Sequence, residues 1–261
     1  MSKEILTLNS QTVIGMVHCL PLPTTAGFDG DYQRIIDRAV QDAVTLEKAG
    51  VDAVIVENMG DTPFSAFLNK AQVAALTAAA YAVKQAVQIP VGLDAAFNDC
   101  EADIAIAAMV GASFIRVPVF VDTVLFTDGI IQPCAKKCME YRKMMGQENV
   151  KILADVQVKH AHMLREHITI EQSAKDAASN GADGIIVTDE EDDSDSFRWD
   201  DVIKWNEDKD NIYLFVAAHN CLVINKDSFT EGTQKDLKEL ATAVMALRDD
   251  ADAEHEDKNE D

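Results

Sequence analysis

The sequence predicts a TIM-type (β/α)8 barrel with a degenerate seventh β/α unit. Short apolar, β-branched runs alternate with amphipathic or alanine-rich helical patterns over nearly all of the 261 residues. The strand runs are continuously apolar, as expected when both faces of a parallel sheet are covered. No GxGxxG or P-loop motif supports an open, doubly wound sheet instead. We therefore predict one barrel domain over residues 1–248 and a disordered acidic tail over residues 249–261.

The predicted elements follow one another in strand and helix order. The strands span residues 13–17, 53–56, 90–93, 114–117, 151–156, 184–187, 213–216 and 222–224. The helices span residues 32–49, 69–87, 100–110, 134–145, 169–179, 199–206 and 233–247. Three helices end in a similar turn, where Gly50, Gly111 and Gly181 are expected to adopt the left-handed conformation. Five residues separate the last two strands, whereas a parallel crossover needs a dozen or more, so the seventh unit has lost its helix or strand eight is displaced.

Charge and composition restrict the possible partners. The formal net charge of -22 repels nucleic acid and anionic lipid, so neither is an expected partner. No apolar run reaches the roughly 18 residues of a membrane span, and the polar N-terminus lacks a secretory signal, so we expect a cytoplasmic protein. The five cysteines form no CxxC pair, and Cys134 and Cys138, four residues apart on a predicted helix, are better explained by packing than by a metal site.

Polar residues lie at the C-terminal end of every predicted strand. In a barrel these positions share one mouth, which is where small-molecule sites lie. The residues are His18, Glu57, Asn58, Asp94, Arg116, Asp155, Lys159, His160, Thr188, Asp189, His219, Asn220, Asn225 and Lys226.

Glu57 and Asp155 are the strongest candidates for chemistry, because each follows an apolar run without a partner nearby in sequence. Buried carboxylates act as general bases or hold a hard cation such as Mg²⁺. A salt bridge to Arg116 or Lys159 explains them equally well. His18 is a candidate acid or base at neutral pH, although a structural role is common for a single histidine.

Four segments resemble the BtpA/SgcQ family: GMVHCLPLP, DAVIVENMGDTPF, RVPVFVDTVLFTDGII and ILADVQVKHA. The resemblance runs from about residue 13 to residue 188. It implies a TIM-type barrel of the ribulose-phosphate-binding kind, in a family linked to photosystem I biogenesis and to sugar-utilisation gene sets. The polar residues that match the family are His18, Glu57, Asn58, Asp61, Asn98, Asp99, Arg116, Thr127, Asp128, Asp155, Lys159, His160 and Thr188.

The C-terminal third departs from the family pattern. The glycine turn expected after strand seven reads Ala217, Ala218 and His219, and an acidic run follows strand six. Side chains and acids at these turns disfavour the phosphate site that the resemblance implies.

Two functions therefore remain open. The first is a metabolic enzyme, or its decayed relative, that acts on a sugar- or nucleoside-type ligand. In it Glu57, Asp155, His18 and Lys159 are catalytic, and the ligand is bound by Asn58, Asp94, Asn98, Arg116, His160, Thr188 and His219. The second is a non-catalytic scaffold or assembly factor that acts through protein contacts. In either case the incomplete seventh unit leads us to expect a homo-oligomer.

Overall fold

The computed structural model of the protein describes residues 6, 8–9, 12–95, 97–165, 167–188, 204–207, 209, 211–217, 220–226, 233–235, 237–239 and 241–242. The chain divides into two compact units, residues 1–190 and residues 191–261. The predicted domain bounds, residues 1–248 and residues 249–261, stay a prediction. The predicted acidic tail, residues 249–261, lies outside the described residues.

The N-terminal unit repeats strand and helix along the chain, as the alternating sequence pattern predicts. Its strands are β1 Ile14–His18, β2 Ala53–Glu57, β3 Val91–Asp94, β4 Phe114–Val117, β5 Val124–Phe126, β6 Gly129–Ile131, β7 Lys151–Asp155, β8 His162–Met163 and β9 Gly184–Ile186. Its helices are α1 Tyr32–Ala49, α2 Lys70–Ala86, α3 Cys100–Val110, α4 Ala135–Met144 and α5 Ile170–Ser179. None of the described helices is long and apolar enough to cross a membrane.

Six of these strands form one parallel sheet in the order β1, β2, β3, β4, β7 and β9. Helices connect them, as parallel neighbours require. The first six predicted barrel strands therefore pair as expected. The unit is an incomplete TIM-type barrel, and the predicted fold class is confirmed at this level.

The sheet has two apolar layers because successive side chains on a strand point to opposite faces. Val54 and Val56 belong to the large core shared with the helices. Ala53 and Ile55 lie on the other face, in a smaller cluster with Phe114 of β4. Glu57 has the same parity as Ala53 and Ile55, so it lies on that inner face, above the apolar cluster.

Local signals in the sequence set the helix ends. Asp31, Asn69, Asp99 and Thr169 each accept a backbone hydrogen bond at a helix N-terminus through their side chains. The predicted left-handed glycines are confirmed, with φ of 90° at Gly50, 73° at Gly111 and 101° at Gly181. These caps hold each helix in the orientation that returns the chain to the next strand.

A small antiparallel sheet of β5, β6 and β8 is built from the segments that follow β4 and β7. Its apolar side chains cluster with residues that follow β2 and β3. The rings of Phe97 and Phe126 stack at 4.0 Å between centroids, with an interplanar angle of 1°. The loops at the C-terminal ends of four strands thus share a core of their own, which the sequence analysis did not predict.

The C-terminal unit has a different architecture from the predicted one. Its strands β10 Lys204–Glu207, β11 Asn211–Ala217 and β12 Asn220–Asn225 form an antiparallel sheet. The prediction of parallel barrel strands at residues 213–216 and 222–224, separated by a degenerate unit, is therefore wrong in detail. The helix predicted over residues 199–206 is also wrong where β10 lies. The two residues between β11 and β12 are too few for a crossover but suffice for a hairpin.

Candidate functional site

Five ionisable side chains form a row across the C-terminal end of the parallel sheet. Each comes from a different strand, and all have the parity of the inner face: His18, Glu57, Asp94, Arg116 and Asp155. The register places His18 beside Glu57, and Glu57 beside Asp94. The strand-end prediction therefore placed these residues correctly. We call this row the strand-end cluster.

Arg116 occupies the middle of the cluster and binds two carboxylates. Its Nε and Nη2 atoms donate to the two carboxylate oxygens of Asp155 at 2.9 and 2.7 Å. Its Nη1 atom lies 3.3 Å from Oδ2 of Asp94. Burial works against the guanidinium charge, but the hydrogen bond to Asp155 and the charge of Asp94 hold the pKa of Arg116 above its usual value. The bidentate hydrogen bonding by Arg116 fixes the orientation of the Asp155 carboxylate.

Asp94 is the most unusual group in the cluster. Its side chain is 1% exposed, and neither carboxylate oxygen has a hydrogen-bond partner among the described residues. The Arg116 contact is thus an ion pair by distance without hydrogen-bond geometry. Burial, and then the charge of Glu57, raise the pKa of Asp94 well above its usual value. A buried carboxyl in this state is suited to donate or accept a proton.

Asp155 shares this environment but is better satisfied. Burial raises its pKa, while the hydrogen bond and charge of Arg116 oppose the shift. Lys159 also acts on Asp155 through its charge. The two aspartates therefore differ in their partners, although both face Arg116.

His18 and Glu57 form the outer end of the cluster. Nε2 of His18 lies 3.5 Å from Oε2 of Glu57. The His18 side chain is 52% exposed, whereas that of Glu57 is 10% exposed. The pair thus joins a nearly buried carboxyl to a side chain in contact with solvent.

The segment after β7 carries Lys159 and His160. The backbone N–H of Lys159 donates to Oγ1 of Thr188 at 3.3 Å, which ties this segment to the end of β9. Gln157 and His160 have φ angles of 51° and 63°, in the left-handed region that side chains disfavour. His160 is exposed, and Lys159 and Thr188 are half-buried. The segment is thus held in a defined, strained conformation beside Asp155.

Asn58 follows Glu57 of the strand-end cluster in sequence, and its side-chain amide donates a hydrogen bond to another protein side chain. Its Nδ2 donates to Oδ2 of Asp61 at 2.9 Å. Asp61 also accepts from the backbone of Leu22 and from Nε2 of Gln72. This buried network fastens the loops after β1 and β2 to α2.

Asn98 connects two loops in a similar way. Its Oδ1 accepts from the N–H of Val119 at 3.3 Å, and its Nδ2 donates to the carbonyl of Gln132 at 3.2 Å. Three further family residues also bind backbone or lie outward: Asp99 caps α3, Asp128 accepts from Ala66, and Thr127 is exposed. His219 lies outside the described residues.

Two buried acids escaped the sequence analysis. Asp103 lies in the apolar helix α3, is 2% exposed, and its Oδ1 has no hydrogen-bond partner among the described residues. Burial, and then the charge of Asp94, raise its pKa well above the usual value. Asp122 accepts from the Ser173 hydroxyl and from the Gln157 backbone. The available signal for Asp103 was its place directly before the apolar part of the CEADIAIAAMV run, which also contains Glu101.

Within the described part of the chain, no group of three or more His, Cys, Asp and Glu side chains is arranged to hold a metal ion. The expectation of Mg²⁺ at Glu57 and Asp155 stays a prediction. Arg116 supplies positive charge beside Asp155.

Fold and site together define the class: an incomplete TIM-type β/α barrel with a cluster of ionisable groups at its strand ends. The chain belongs to the BtpA family, whose sequence model matches residues 9–197. A second model, that of YcxB-like proteins, matches residues 181–241. The two matches meet near the boundary between the two compact units.

Relatives of known sequence agree with this assignment. An uncharacterized protein of Pyrococcus furiosus is 43% identical over 185 residues, which are 70% of this chain and 69% of the relative. The photosystem I biogenesis protein BtpA of Synechocystis is 40% identical over 178 residues, 67% of this chain and 61% of that protein. An uncharacterized mitochondrial protein of Caenorhabditis elegans is 33% identical, covering 71% of this chain and 69% of its own length.

Solved structures that match are more distant. The 7,8-dihydropteroate synthase of Vibrio fischeri gives a TM-score of 0.45 at 17% identity, over 70% of this chain and 63% of that one. The N-acetylmannosamine-6-phosphate 2-epimerase of Clostridium perfringens gives 0.39 at 9% identity, over 66% and 59% of the two chains. Neither match informs the reaction of this protein.

Proposed function

We propose that the protein binds a small polar metabolite of the sugar or nucleoside type at the strand-end cluster and transfers protons to or from it. The observation that carries the proposal is the Asp94 carboxyl, which is buried without a hydrogen-bond partner among the described residues. Such a group is costly to the fold, so a ligand that supplies the missing partner accounts for it. Hydroxyl groups of a sugar ring fit this need because each can both donate and accept.

The roles of the other groups follow from their surroundings. Glu57 is the acid–base group. Nε2 of His18 lies 3.5 Å from Oε2 of Glu57, and the half-exposed His18 side chain passes protons between Glu57 and solvent. Arg116 holds Asp155 in one orientation and counters the charge that develops near Asp94. Lys159 contributes a second positive charge from a segment that its backbone N–H ties to Thr188.

Calorimetry with neutral sugars, nucleosides and their phosphates, with and without Mg²⁺, tests the proposal. We expect heat of binding with at least one neutral compound. In Glu57→Gln the affinity should fall by at least about tenfold, because the variant loses one charge-assisted hydrogen bond to the ligand. The matched control is Glu101→Gln, the same change at a carboxylate that pairs with Lys137 on the surface. Absence of heat with every compound contradicts the proposal. Heat only in the presence of Mg²⁺ supports the metal hypothesis instead.

A second candidate function is assembly through protein contacts. The name of the Synechocystis relative, a photosystem I biogenesis protein, supports it. Under this hypothesis a chain without residues 249–261 loses its partner in a pull-down and keeps its melting temperature. A truncated chain that retains every partner argues against it.

The cytoplasmic location and the homo-oligomeric state expected from the sequence stay predictions. Cell fractionation tests the first. Sedimentation at micromolar concentration tests the second, and a monomer alone contradicts it.

A further inference from the structure

A cavity of about 420 Å³ lies in the C-terminal unit and is not used by the proposed acid–base chemistry. It is lined by Lys226, directly after β12, and by Thr233, Gln234, Lys235 and Lys238 from the segment that follows. Three of these five side chains carry a positive charge, although the formal net charge of the chain is -22. We call the five residues the lysine pocket. A local excess of cations in so acidic a chain favours an anionic ligand.

Glu207, the last residue of β10, holds two of these lysines side by side. Its Oε2 atom lies 2.7 Å from Nζ of Lys226 and accepts from Nζ of Lys238 at 3.2 Å. Its Oε1 atom accepts from Lys238 at 3.0 Å, and the same ammonium group lies 5.9 Å from the centroid of the Trp205 ring. The two lysine side chains are only 15% and 28% exposed. Two ammonium groups therefore share one carboxylate oxygen at the wall of the pocket.

Side-chain hydrogen bonds fasten the other wall of the pocket to the sheet. Nε2 of Gln234 donates to the carbonyl of Lys226 at 3.1 Å. Nε1 of Trp205 in β10 donates to Oγ1 of Thr242 at 3.1 Å. The segment after β12 is thus held at both ends, so its lysines keep a defined place relative to Lys226.

Lys235 supplies the third positive charge. Its Nζ atom lies 3.4 Å from Oε1 of Glu239, and the two side chains are 81% and 66% exposed. An exposed pair of this kind contributes little free energy, so Lys235 is able to turn towards an anion in the pocket. Glu239 is not one of the lining residues. The positive charges at the pocket therefore exceed the single negative charge of Glu207 by two.

We propose that the lysine pocket binds the phosphate group of a small metabolite. A phosphate monoester carries a charge of about -1.5 to -2 at pH 7 and three acceptor oxygens, which matches this excess of charge. Lysine ammonium groups bind phosphate as point charges, and the Thr233 hydroxyl is able to donate as well. The cavity volume lies in the range of small-molecule sites, which leaves room for the group that carries the phosphate. A nucleic acid is disfavoured because the chain as a whole repels a polyanion.

Equilibrium dialysis of the full-length protein with labelled inorganic phosphate tests the proposal. We expect saturable binding that weakens as the salt concentration rises, because salt screens the attraction between exposed charges. Lys238→Gln should raise the Kd at least about tenfold, since it removes a charge-assisted hydrogen bond to the phosphate. Lys235→Gln should raise the Kd about two- to fivefold, as expected for an exposed charge.

Lys136→Gln is the matched control for Lys235→Gln. Lys136 is 88% exposed and lies 3.9 Å from Glu140, four residues further on, so it has the same kind of partner as Lys235. It belongs to α4 and not to the lysine pocket. The control variant should therefore bind phosphate with the Kd of the parent.

The exposed Lys235 keeps the test valid if Lys238→Gln fails to fold. Absence of saturable binding at millimolar phosphate overturns the proposal. So does an equal rise of the Kd in the Lys235 and Lys136 variants, because net charge alone then explains the binding. A loss of phosphate binding in Glu57→Gln, with both pocket variants unaffected, places the phosphate at the strand-end cluster and overturns the proposal as well.

Discussion

Replacing Arg116 with glutamine tests how the strand-end cluster is held together. The change leaves Asp155 and Asp94, both nearly fully buried, without their ion-pair partner. Removing one partner of a buried pair costs about 3–5 kcal/mol. In a unit of this size about 1 kcal/mol corresponds to about 2–4 °C. We therefore expect a melting temperature about 6–20 °C lower at neutral pH.

The loss should depend on pH with a definite sign. Without Arg116, the pKa of Asp155, which burial already raises, has no hydrogen bond to oppose the shift. Protonation then relieves the unpaired charge, so the deficit is largest at pH 8 and shrinks towards pH 5. Thermal unfolding followed by circular dichroism at the two pH values measures both effects.

Two further variants distinguish burial from simple ion pairing. Arg34 pairs with Asp29 at 2.6 Å, closer than any Arg116 contact, but the two side chains are 63% and 45% exposed. Arg34→Gln should therefore cost less than about 1 kcal/mol. Adding Asp155→Asn to Arg116→Gln should restore part of the stability, because it removes the stranded charge. Equal losses in the Arg34 and Arg116 variants, or a deficit that does not change with pH, refute the reasoning.

Three other substitutions have expected outcomes. Because the pKa of Asp94 is raised in the folded protein, stability is lost as pH rises from 3.8 through the pKa of the folded state. Asp94→Asn should therefore have a higher melting temperature than the parent at pH 8 and nearly the same melting temperature at pH 3.5. A lower melting temperature of the variant at pH 8 contradicts this. Asp61→Ala strands three buried donors and should lower the free energy of unfolding in urea by about 3 kcal/mol or more, with Asp61→Asn less damaging. In Gly92→Ala the new Cβ would clash with the Phe114 ring, so urea unfolding should show a loss of about 1–3 kcal/mol. An unchanged midpoint would mean that the ring can move away.

The strand ends illustrate how far residue pattern leads to a site. Glu57 and Asp155 each end an apolar strand, and alternation within the strand places both on the inner face. Their convergence with Arg116 follows from parallel pairing, because C-terminal strand ends lie along one edge of a sheet. The salt-bridge interpretation of Asp155 is confirmed by its two hydrogen bonds.

Other assignments needed three-dimensional partners. The prediction that Asn58 and Asn98 bind a ligand stays a prediction; in the structure Asn58 bonds to Asp61 in its own loop, and Asn98 bonds to Val119 in the next loop. Asp94 was one polar residue among many in the sequence. Only its burial beside Glu57, without a hydrogen-bond partner in the described part of the chain, sets it apart.

By itself, the sequence determined the repeating strand and helix units and their glycine turns, because these depend on local pattern. It also determined the family, because the family motifs are contiguous segments between about residue 13 and residue 188. The tertiary structure decided what the last strands do. The runs that form β11 and β12 have the apolar composition of barrel strands, yet they pair antiparallel in a separate sheet. Apolar composition specifies that a strand is covered, but strand direction depends on the connection and on the partner that the chain reaches.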